Sequence, residues 1–418
     1  MNNTLPNRRW LRIIPPAILV YIVAFMDRTN IGFAMAGGMD RELGMTTSLS
    51  GLAAGIFFVG YIILQVPGGI IAEKGSAKKF IAWTIIAWGT LATVTGFVQN
   101  ATQLMILRFL LGVAEGGVWP AILVIISHWF PNEERGRANA FFMMNIAIAS
   151  IITGPLSGWI LSIWNWRMVF IIEGIISLAL IFVWLPLISD RPQDAKWISE
   201  QERDYLVKRW RTEQELLKAN PQGPASFAEL FANKNMWKLI LIYFCYQTGI
   251  YGFTLWLPTI IKQLTHAGMG SVGILSVFPY IATMIGQYLF ATLSDRSMNR
   301  KLYTGLPLLG FALCLLLSVQ FQSQIWVSFA FLVGCGFFLQ AASGVFWAIP
   351  PVLFSANVAG AVRGGINALG NLGGFLGPYI VGWLTASFSP EAGIYGLILF
   401  LATGFLLTLS LPEATTGK

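Results

Sequence analysis

"RIIPPAILVYIVAFMDRTNIGFAMA", residues 12–36, is an apolar stretch long enough to cross a lipid bilayer, yet it contains Asp27 and Arg28. A transmembrane helix needs about 20 predominantly apolar residues. A charged side chain at the bilayer centre costs roughly 2.5–3.5 kcal/mol on insertion scales, and such residues usually face a bundle interior and carry function. The stretch therefore predicts a membrane-spanning helix that packs among others and contributes to a polar site.

The remaining sequence repeats this apolar pattern. The chain has 418 residues, of which 56% are hydrophobic and 11% are charged, whereas a soluble domain has about 25% charged residues. Apolar runs of sufficient length lie near residues 12–36, 50–72, 79–98, 102–127, 138–161, 167–188, 237–262, 272–294, 303–320, 325–350, 361–386 and 392–411. We therefore predict an all-α integral membrane protein with twelve transmembrane helices embedded in the lipid bilayer.

The basic residues of the loops are concentrated on one side of the predicted membrane. If the amino terminus is cytoplasmic, 22 Lys and Arg residues lie on that side and 3 on the other. Short basic loops remain in the cytoplasm, so we predict a multi-pass protein of the plasma (inner) membrane with both termini cytoplasmic. Because these residues are spread over many loops, the net charge of +8 does not indicate nucleic-acid binding. The three cysteines fall in predicted spans without metal-ligand spacing, so no metal site is expected.

The two halves of the chain resemble each other. "RGRANA" from Arg135 matches "RGGINA" from Arg363 at an offset of 228 residues. "AEKGSAKK" from Ala72 corresponds to "SDRSMNRK" from Ser294 at an offset of 222 residues. Each match falls at the same point of a six-helix half, so the halves are predicted to be parallel repeats.

Parallel repeats of this kind are typical of transporters in which two bundles move around a site near the bilayer midplane. We predict a first six-helix bundle at 1–188, a cytoplasmic linker at 189–236 and a second six-helix bundle at 237–418. We expect the protein to act as a monomer.

The loop between the second and third spans resembles the signature loop of the major facilitator superfamily. It reads "GIIAEKGSAKK" from Gly69, with Glu73 and Lys74 at the acidic and basic positions, and the second copy, "ATLSDRSMNRK", keeps Asp295 and Arg296. The resemblance implies a conformational latch in which these four residues form charged hydrogen bonds in one state and release them in another. Plain positive-inside topology is the alternative explanation.

Other stretches resemble one branch of that superfamily, the anion:cation symporters. They are "FMDRTNIGFA", "LRFLLGVAEGGVWPA", "WRMVFIIEG", "DRPQDAKWISEQE" and "GGINALGNLGGFLGP". The resemblance implies transport of organic anions, notably sugar acids and smaller carboxylates, usually together with protons.

Four ionisable residues lie deep in the predicted spans, all in the first half: Asp27, Arg28, Arg108 and Glu115. We predict that Arg28 binds the substrate carboxylate through a bidentate contact. Because a buried Arg is effectively never deprotonated, Asp27 and Glu115 are the predicted proton carriers. Arg108, two helical turns from Glu115, is predicted to take part in the coupling. Structural salt bridges are the alternative for both pairs.

Neutral polar residues at comparable depth are candidates for binding the rest of a hydroxylated acid. They are Tyr61, Gln65 and Asn145 in the first half, and Gln247, Tyr251, Gln340, Trp347, Asn367 and Asn371 in the second. Family resemblance favours Asn371, which shares a helix face with Asn367, while helix-to-helix hydrogen bonding is the alternative for each. Glu173, in contrast, is predicted to lie near the outer face beside Arg167 in a structural role.

These patterns predict a secondary active transporter that imports an organic anion with protons by alternating access. The resemblance implies a sugar acid such as a hexonate, a ketogluconate or a hexuronate. An anion exchanger or facilitator for small carboxylates, tartrate-like or aromatic, is the alternative. The sequence contains no HExxH or GxSxG motif, so an enzyme is not expected. The proton gradient is the expected driving force, with no cofactor.

Overall fold

The fold is a set of membrane-crossing helices, as the sequence predicts. A computed structural model describes residues 7–219, 232–354 and 359–412, and these ranges contain no β-strand. The spans, numbered one to twelve, are Arg8–Ala36, Thr47–Lys74, Ala77–Thr95, Ala101–Trp129, Glu133–Ile163, Trp166–Leu187, Lys234–Thr265, Met269–Ser297, Arg300–Gln320, Ile325–Phe346, Ala359–Gly370 with Leu372–Ser387, and Pro390–Leu409. Helices outside the spans are Met39–Glu42, Pro192–Asp194, Glu200–Ala219 and Pro350–Leu353. The predicted all-α fold is confirmed.

Ten of these spans are long and apolar enough to cross a membrane by length and composition alone. Spans three and eleven fall below that threshold for different reasons. Span three begins with Lys78 and Lys79, and span eleven is rich in glycine and contains Asn367 and Asn371. Both helices nevertheless occupy the positions that the sequence predicts for spans.

Several spans are interrupted beside a predicted polar residue. Span two is interrupted at Leu64 next to Gln65, span five at Met144 next to Asn145, and span eleven at Asn371 itself. The backbone stays helical at two of these points, because Met144 and Asn371 have right-handed helical dihedral angles and the Asn371 amide still donates to the Asn367 carbonyl. Similar single-residue irregularities occur at Leu180 and Ser276, away from the residues that the sequence analysis selected for binding.

The two six-helix bundles meet through glycines on one side of the membrane. We define the termini side as the end where spans one and seven begin, and the opposite side as the other end. The glycines that face the other bundle's backbone lie toward the opposite side, and include Gly32 against Leu255, Gly51 against Pro378, and Gly154 against Gly273. A β-carbon at these positions would collide with that backbone, so the bundles are in close contact there.

Three glycines toward the termini side have a different environment. A β-carbon added at Gly136, Gly344 or Gly364 would meet no atom within 4 Å. Gly136 and Gly364 occupy equivalent positions in the repeated "RG" pairs of the two halves. The bundles are thus in contact toward the opposite side. Open space beside a glycine is not limited to the termini side, because Gly38, Gly44 and Gly268 near the opposite side also meet no atom within 4 Å. The residue limits proposed for the two bundles and the linker stay a prediction.

The linker begins with a helix, Glu200–Ala219, that is attached to the first bundle. The sequence "SEQE" predicts a capping box, and the Ser199 hydroxyl does accept from the Glu202 amide. A capping box also requires the Glu202 carboxylate to accept from the Ser199 amide. That part of the prediction is wrong, because the Glu202 carboxylate is buried and accepts a charged hydrogen bond of 2.7 Å from Arg9. Arg9 also pairs with Glu134 at 2.7 Å. The buried cation therefore joins span one, span five and the linker helix.

Candidate substrate and proton site

Arg28 lies buried at the boundary between the two bundles. Its guanidinium is 3.4 Å from the Glu115 carboxylate of span four and 3.4 Å from the Tyr251 hydroxyl of span seven. Both contacts are long for hydrogen bonds, whose usual range is about 2.7–3.2 Å. Among the described residues, Arg28 Nε and Glu115 Oε1 have no partner. The cation and its carboxylate therefore keep unused hydrogen-bonding capacity.

Aromatic rings surround the Arg28 charge. The centroid of the Tyr61 ring is 4.5 Å from Arg28 Cζ, and that of Phe57 is 5.2 Å away. Ring faces attract a cation, by about 2 kcal/mol or more at desolvated sites. The Tyr61 hydroxyl is 3.3 Å from that of Tyr21. These rings stabilise a buried positive charge without using the carboxylate-binding edge of the guanidinium.

Arg108 is fully buried and binds the backbone of span one. It donates to the carbonyl oxygens of Asp27, at 3.1 Å, and Arg28, at 3.0 Å. No ion pair joins Arg108 to Glu115 among the described contacts. Arg108 therefore holds the backbone of Asp27 and Arg28 in place, while its part in proton coupling stays a prediction.

Asp27 points away from Arg28, toward span six. One carboxylate oxygen contacts the Ser177 hydroxyl, and the other has no partner within the described residues. The same hydroxyl is 3.0 Å from the Glu173 backbone carbonyl one turn earlier. A hydroxyl has one hydrogen, so a proton on Asp27 that is donated to Ser177 would leave the hydroxyl hydrogen free for the Glu173 carbonyl.

The predicted amide residues of the two bundles form a chain of hydrogen bonds. Gln247 of span seven donates to Asn371 at 2.9 Å, and Asn371 donates to Asn367 at 3.1 Å. Asn367 then donates to Gln65 of span two at 2.6 Å. The structure thus brings together four residues that the sequence analysis selected separately, and the chain crosses from the second bundle to the first.

The remaining neutral candidates lie apart from this chain. Asn145 donates to the Phe142 carbonyl of its own helix. Trp347 is half-buried and its ring lies 5.1 Å from that of Tyr243. Gln340 is half-buried and makes no side-chain hydrogen bond in the described part of the chain. Their role in substrate binding stays a prediction.

The acidic members of the predicted latch have partners within their own bundle. Glu73 is 3.7 Å from His128 of span four, and Asp295 near the end of span eight pairs with Arg300 at the start of span nine. Neither carboxylate binds the other bundle within the described residues, so any latch that crosses between bundles belongs to a different conformational state.

The loop between spans two and three is tied by a residue that the sequence analysis missed. Asp190, which follows span six, accepts from the Ser76 hydroxyl at 2.5 Å and from the Lys78 amide at 2.7 Å. Lys74 and Arg296 form no ion pair within the residues that the structure describes. Asp190, in the segment "SDRP", is the sequence feature that could have indicated this contact.

The prediction that Glu173 lies beside Arg167 is wrong. Glu173 is fully buried and accepts from Ser157 at 2.6 Å and from Asn30 at 2.9 Å. Arg167 instead pairs with Glu42 at 2.8 Å. The long Arg167 side chain at the start of span six reaches the short helix after span one, whereas Glu173, almost two turns further on, faces the helices of the bundle.

Twelve spans in two bundles, with a buried charged site at their boundary, define a membrane transporter. The chain belongs to the Major Facilitator Superfamily, whose sequence profile matches residues 17–378. A relative in Agrobacterium vitis, described as "Putative tartrate transporter", is 36% identical over 97% of this chain and 90% of its own length. The "Quinolone resistance transporter" of Acinetobacter baumannii is 32% identical over 95% of this chain and 92% of its own.

A solved structure supports the fold assignment. It is a bacterial homologue of the human lysosomal transporter Spinster in an inward-facing, occupied conformation, with a TM-score of 0.76. The alignment covers 98% of this chain and 97% of that chain at 15% sequence identity. At that identity the likeness establishes the shared fold only.

Proposed function

We propose that this protein is a proton-coupled symporter that imports an organic anion by alternating access. The observation that carries the proposal is the environment of Arg28, which is buried, aromatic-lined and incompletely hydrogen-bonded at the bundle boundary. A buried cation with open donors binds a carboxylate strongly, because charge-assisted hydrogen bonds are roughly twice as strong as neutral ones.

Glu115 connects anion binding to proton binding in this proposal. The substrate carboxylate and the Glu115 carboxylate compete for Arg28, which now contacts Glu115 at 3.4 Å. A proton on Glu115 removes the competing negative charge and frees Arg28 for the substrate. Asp27 is the second proton carrier, and the Ser177 contacts are satisfied when it is protonated. When one proton is bound for each substrate carboxylate, the loaded site gains no net charge, which lowers the cost of closing it from water.

The amide chain supports a hydroxylated substrate. Side-chain amides offer both donors and acceptors, and the chain from Gln247 to Gln65 lies across the same boundary as Arg28 and Tyr251. We infer that substrate hydroxyls replace some of these amide contacts. A sugar acid or a tartrate-like hydroxy acid fits this chemistry, and the tartrate assignment of one relative is in line with it.

The glycine contacts between the bundles support a state that is closed toward the opposite side in this proposal. The loops on the termini side carry most of the Lys and Arg residues, so we place that side in the cytoplasm. Substrate would enter when the opposite-side glycine contacts separate, and would leave into the cytoplasm when the Asn367 to Gln65 contact, which joins the bundles toward the termini side, is broken.

The leading alternative is an anion exchanger or facilitator for small carboxylates on the same fold. It needs Arg28 but no titrating carboxylate. It would therefore carry substrate down its gradient with the same dependence on Arg28, and would not concentrate it when only a pH difference is imposed.

The test compares exchange with accumulation in proteoliposomes. D-gluconate, D-glucuronate, tartrate, benzoate and a quinolone are supplied with an imposed pH gradient, and the best substrate is then measured in counterflow. Asp27→Asn and Glu115→Gln should retain counterflow but lose pH-driven accumulation, because each mimics a protonated carboxyl. Glu200→Gln, on the exposed face of the linker helix, is the matched control.

Three outcomes would change the assignment. If both variants accumulate substrate like the wild type, the proton is bound elsewhere. If both fail in counterflow as well, the charged pairs are structural. If no anion is accumulated by the wild-type protein while exchange proceeds, the exchanger alternative is correct.

A further inference from the structure

Glu173 is a buried carboxylate that the proposed mechanism does not use. Its side chain has no exposure, and its two oxygens accept from Ser157 at 2.6 Å and from Asn30 at 2.9 Å. Both partners are neutral. Within the described ranges no Lys or Arg forms an ion pair with this carboxylate, since Arg108 binds backbone carbonyls and Arg167 binds Glu42. An ionised carboxylate at such a site is costly.

The Asn30 side chain is suited to either protonation state of Glu173. Its amide nitrogen donates to Glu173, and its carbonyl oxygen is buried without a partner in the described structure. An amide offers a donor at one end and an acceptor at the other. When Glu173 is ionised the amide donates to it, and when Glu173 is protonated the amide, turned by 180°, accepts its hydrogen. Asn30 can therefore hydrogen-bond to Glu173 whether or not the carboxylate carries a proton, as suits a reversible proton site.

The partners of Glu173 lie on the segments that close the opposite side. Asn30 is two residues before Gly32, which faces the Leu255 backbone of the second bundle. Ser157 lies between Gly154 and Gly158, and the two glycines pack against Gly273 and Met269 of span eight. Glu173 therefore holds spans one and five at the points where both touch the other bundle.

The titratable surroundings of Glu173 are limited to one group. Asp27 of span one contacts Ser177, one turn after Glu173 on span six. Span three presents Thr93 against Gly174, and span five presents Ser157, both neutral. No cation faces the carboxylate from these elements within the described residues.

We propose that Glu173 is a further proton-binding site, beside Glu115 and Asp27, and that closure of the opposite side requires its protonation. When the opposite side opens, water reaches the carboxylate and it ionises. When the side closes, the desolvated carboxylate must carry a proton. This inference rests on the proposed proton coupling, because such a site prevents the unprotonated carrier from closing toward the outside.

The experiment measures accessibility of the opposite side and needs no substrate. Thr47→Cys places a thiol at the start of span two, where the Thr47 carbonyl faces Gly382 of the other bundle. Its labelling rate with a membrane-impermeant maleimide is measured from pH 5 to pH 9. The rate is divided by that of Gln322→Cys, in an exposed loop, to remove the intrinsic pH dependence of thiol reactivity.

The normalised rate should rise with pH by up to about tenfold per pH unit, the slope for one linked proton. Glu173→Gln should label slowly and change less than about twofold over the whole range. Ser157→Ala removes a donor that binds the ionised form more strongly than the protonated form, and should move the rise to higher pH. Glu200→Gln should behave like the wild type.

An unchanged pH profile in a folded Glu173→Gln protein would overturn the inference. A profile abolished by Asp27→Asn but not by Glu173→Gln would assign the proton to Asp27 instead. The proposed function can fail separately from this inference. If labelling depends on Glu173 but no anion accumulates under a pH gradient, Glu173 is a proton site and the proposed coupling of protons to transport is wrong.

Discussion

The two halves of the molecule have the same helical repeat but a different chemistry at its centre. In the first half, Asp27 and Arg28 precede "NIGF", and in the second, Gln247 and Thr248 precede "IYGF" at the equivalent positions. Arg28 pairs with the Glu115 carboxylate, whereas Gln247 donates to the Asn371 amide. One bundle holds buried charges, and the other holds neutral hydrogen-bonding groups at the same depth.

This difference suits bundles that move relative to each other. Every ion pair named above lies within one bundle or joins the linker to the first bundle. In the described ranges, the polar contacts between bundles are Arg28 to Tyr251, Asn367 to Gln65, and Lys262 to the Ala36 carbonyl. Separating a buried ion pair costs about 3–5 kcal/mol, while a hydrogen bond contributes about 0.5–1.5 kcal/mol when it is neutral and about 1.5–3 kcal/mol when its donor is charged, as in Arg28 and Lys262. The bundles can therefore separate without breaking an ion pair.

Of the substitutions that test this difference between the halves, removal of the Arg28 charge should reduce transport most. Arg28→Ala should reduce transport at least about a hundredfold, because the anion loses its cation and Glu115 is left unpaired. Arg28→Lys should also be poor, since an ammonium does not reproduce the planar fork. Initial uptake rates in cells, corrected for expression, provide the measurement.

Gln247→Ala, at the repeat-equivalent site of Asp27, is the counterpart in the second half. It should reduce uptake by only about tenfold or less, as expected for loss of one neutral hydrogen bond. Equal losses in Gln247→Ala and Arg28→Ala would contradict the division of roles between the halves.

Breaking the amide chain should weaken the binding of hydroxylated substrates specifically. Asn371→Ala removes the link between Gln247 and Asn367. The apparent affinity for a polyhydroxylated anion should fall about three- to tenfold, while a carboxylate without hydroxyls should be affected little. Competition of each anion against labelled substrate measures both effects.

Thr292→Ala is the control, because Thr292 was not selected for binding and donates to the Tyr288 carbonyl of its own helix. If Asn371→Ala weakens hydroxylated and plain carboxylates equally, the amide chain holds the bundles together and does not select the substrate.

The fold could be predicted from the sequence because lipid restricts the possible structures. Backbone groups in a bilayer must be paired internally, so an apolar run of about 20 residues becomes a helix. The repeat of "RGRANA" as "RGGINA" then identifies two equivalent halves. The depth of Arg28 and Glu115 follows from their position within each run, whereas the contact between them was not predicted, because the sequence analysis paired Glu115 with Arg108.

The directions in which the buried side chains point could not be predicted. Arg108 binds the backbone carbonyls of span one and not Glu115, and Asp27 faces Ser177 of span six. These contacts depend on how each helix is rotated about its axis against its neighbours. Hydrophobic runs without a polar stripe carry little information about that rotation. The buried pair of Arg9 and Glu202 escaped prediction because it joins segments 193 residues apart.

The smallest effect is expected on protein stability, at two charged contacts on the opposite side. Glu42 of the first half makes one, and Lys262 of the second half makes the other. In the first half, Glu42 accepts from the Trp166 indole at 2.7 Å and from the Arg167 guanidinium at 2.8 Å. These two donors, the indole first, hold the pKa of Glu42 below its ordinary value. In the second half, Lys262 donates to the Ala36 carbonyl at 2.6 Å, and a carbonyl does not titrate.

A carboxylate whose pKa is lowered by folding stabilises the protein at pH values above its unfolded pKa of about 4.3. That stabilisation is lost as the pH falls through the lower folded pKa. Glu42→Gln should therefore lower the thermal unfolding temperature of the detergent-solubilised protein at pH 7, and the difference from the wild type should shrink toward pH 3. Because Glu42 is half-exposed, the effect should stay below about 1 kcal/mol. Lys262→Ala should lower the unfolding temperature by a similar amount at both pH values, and a pH-independent deficit in Glu42→Gln would show that its charge is not what the contact uses.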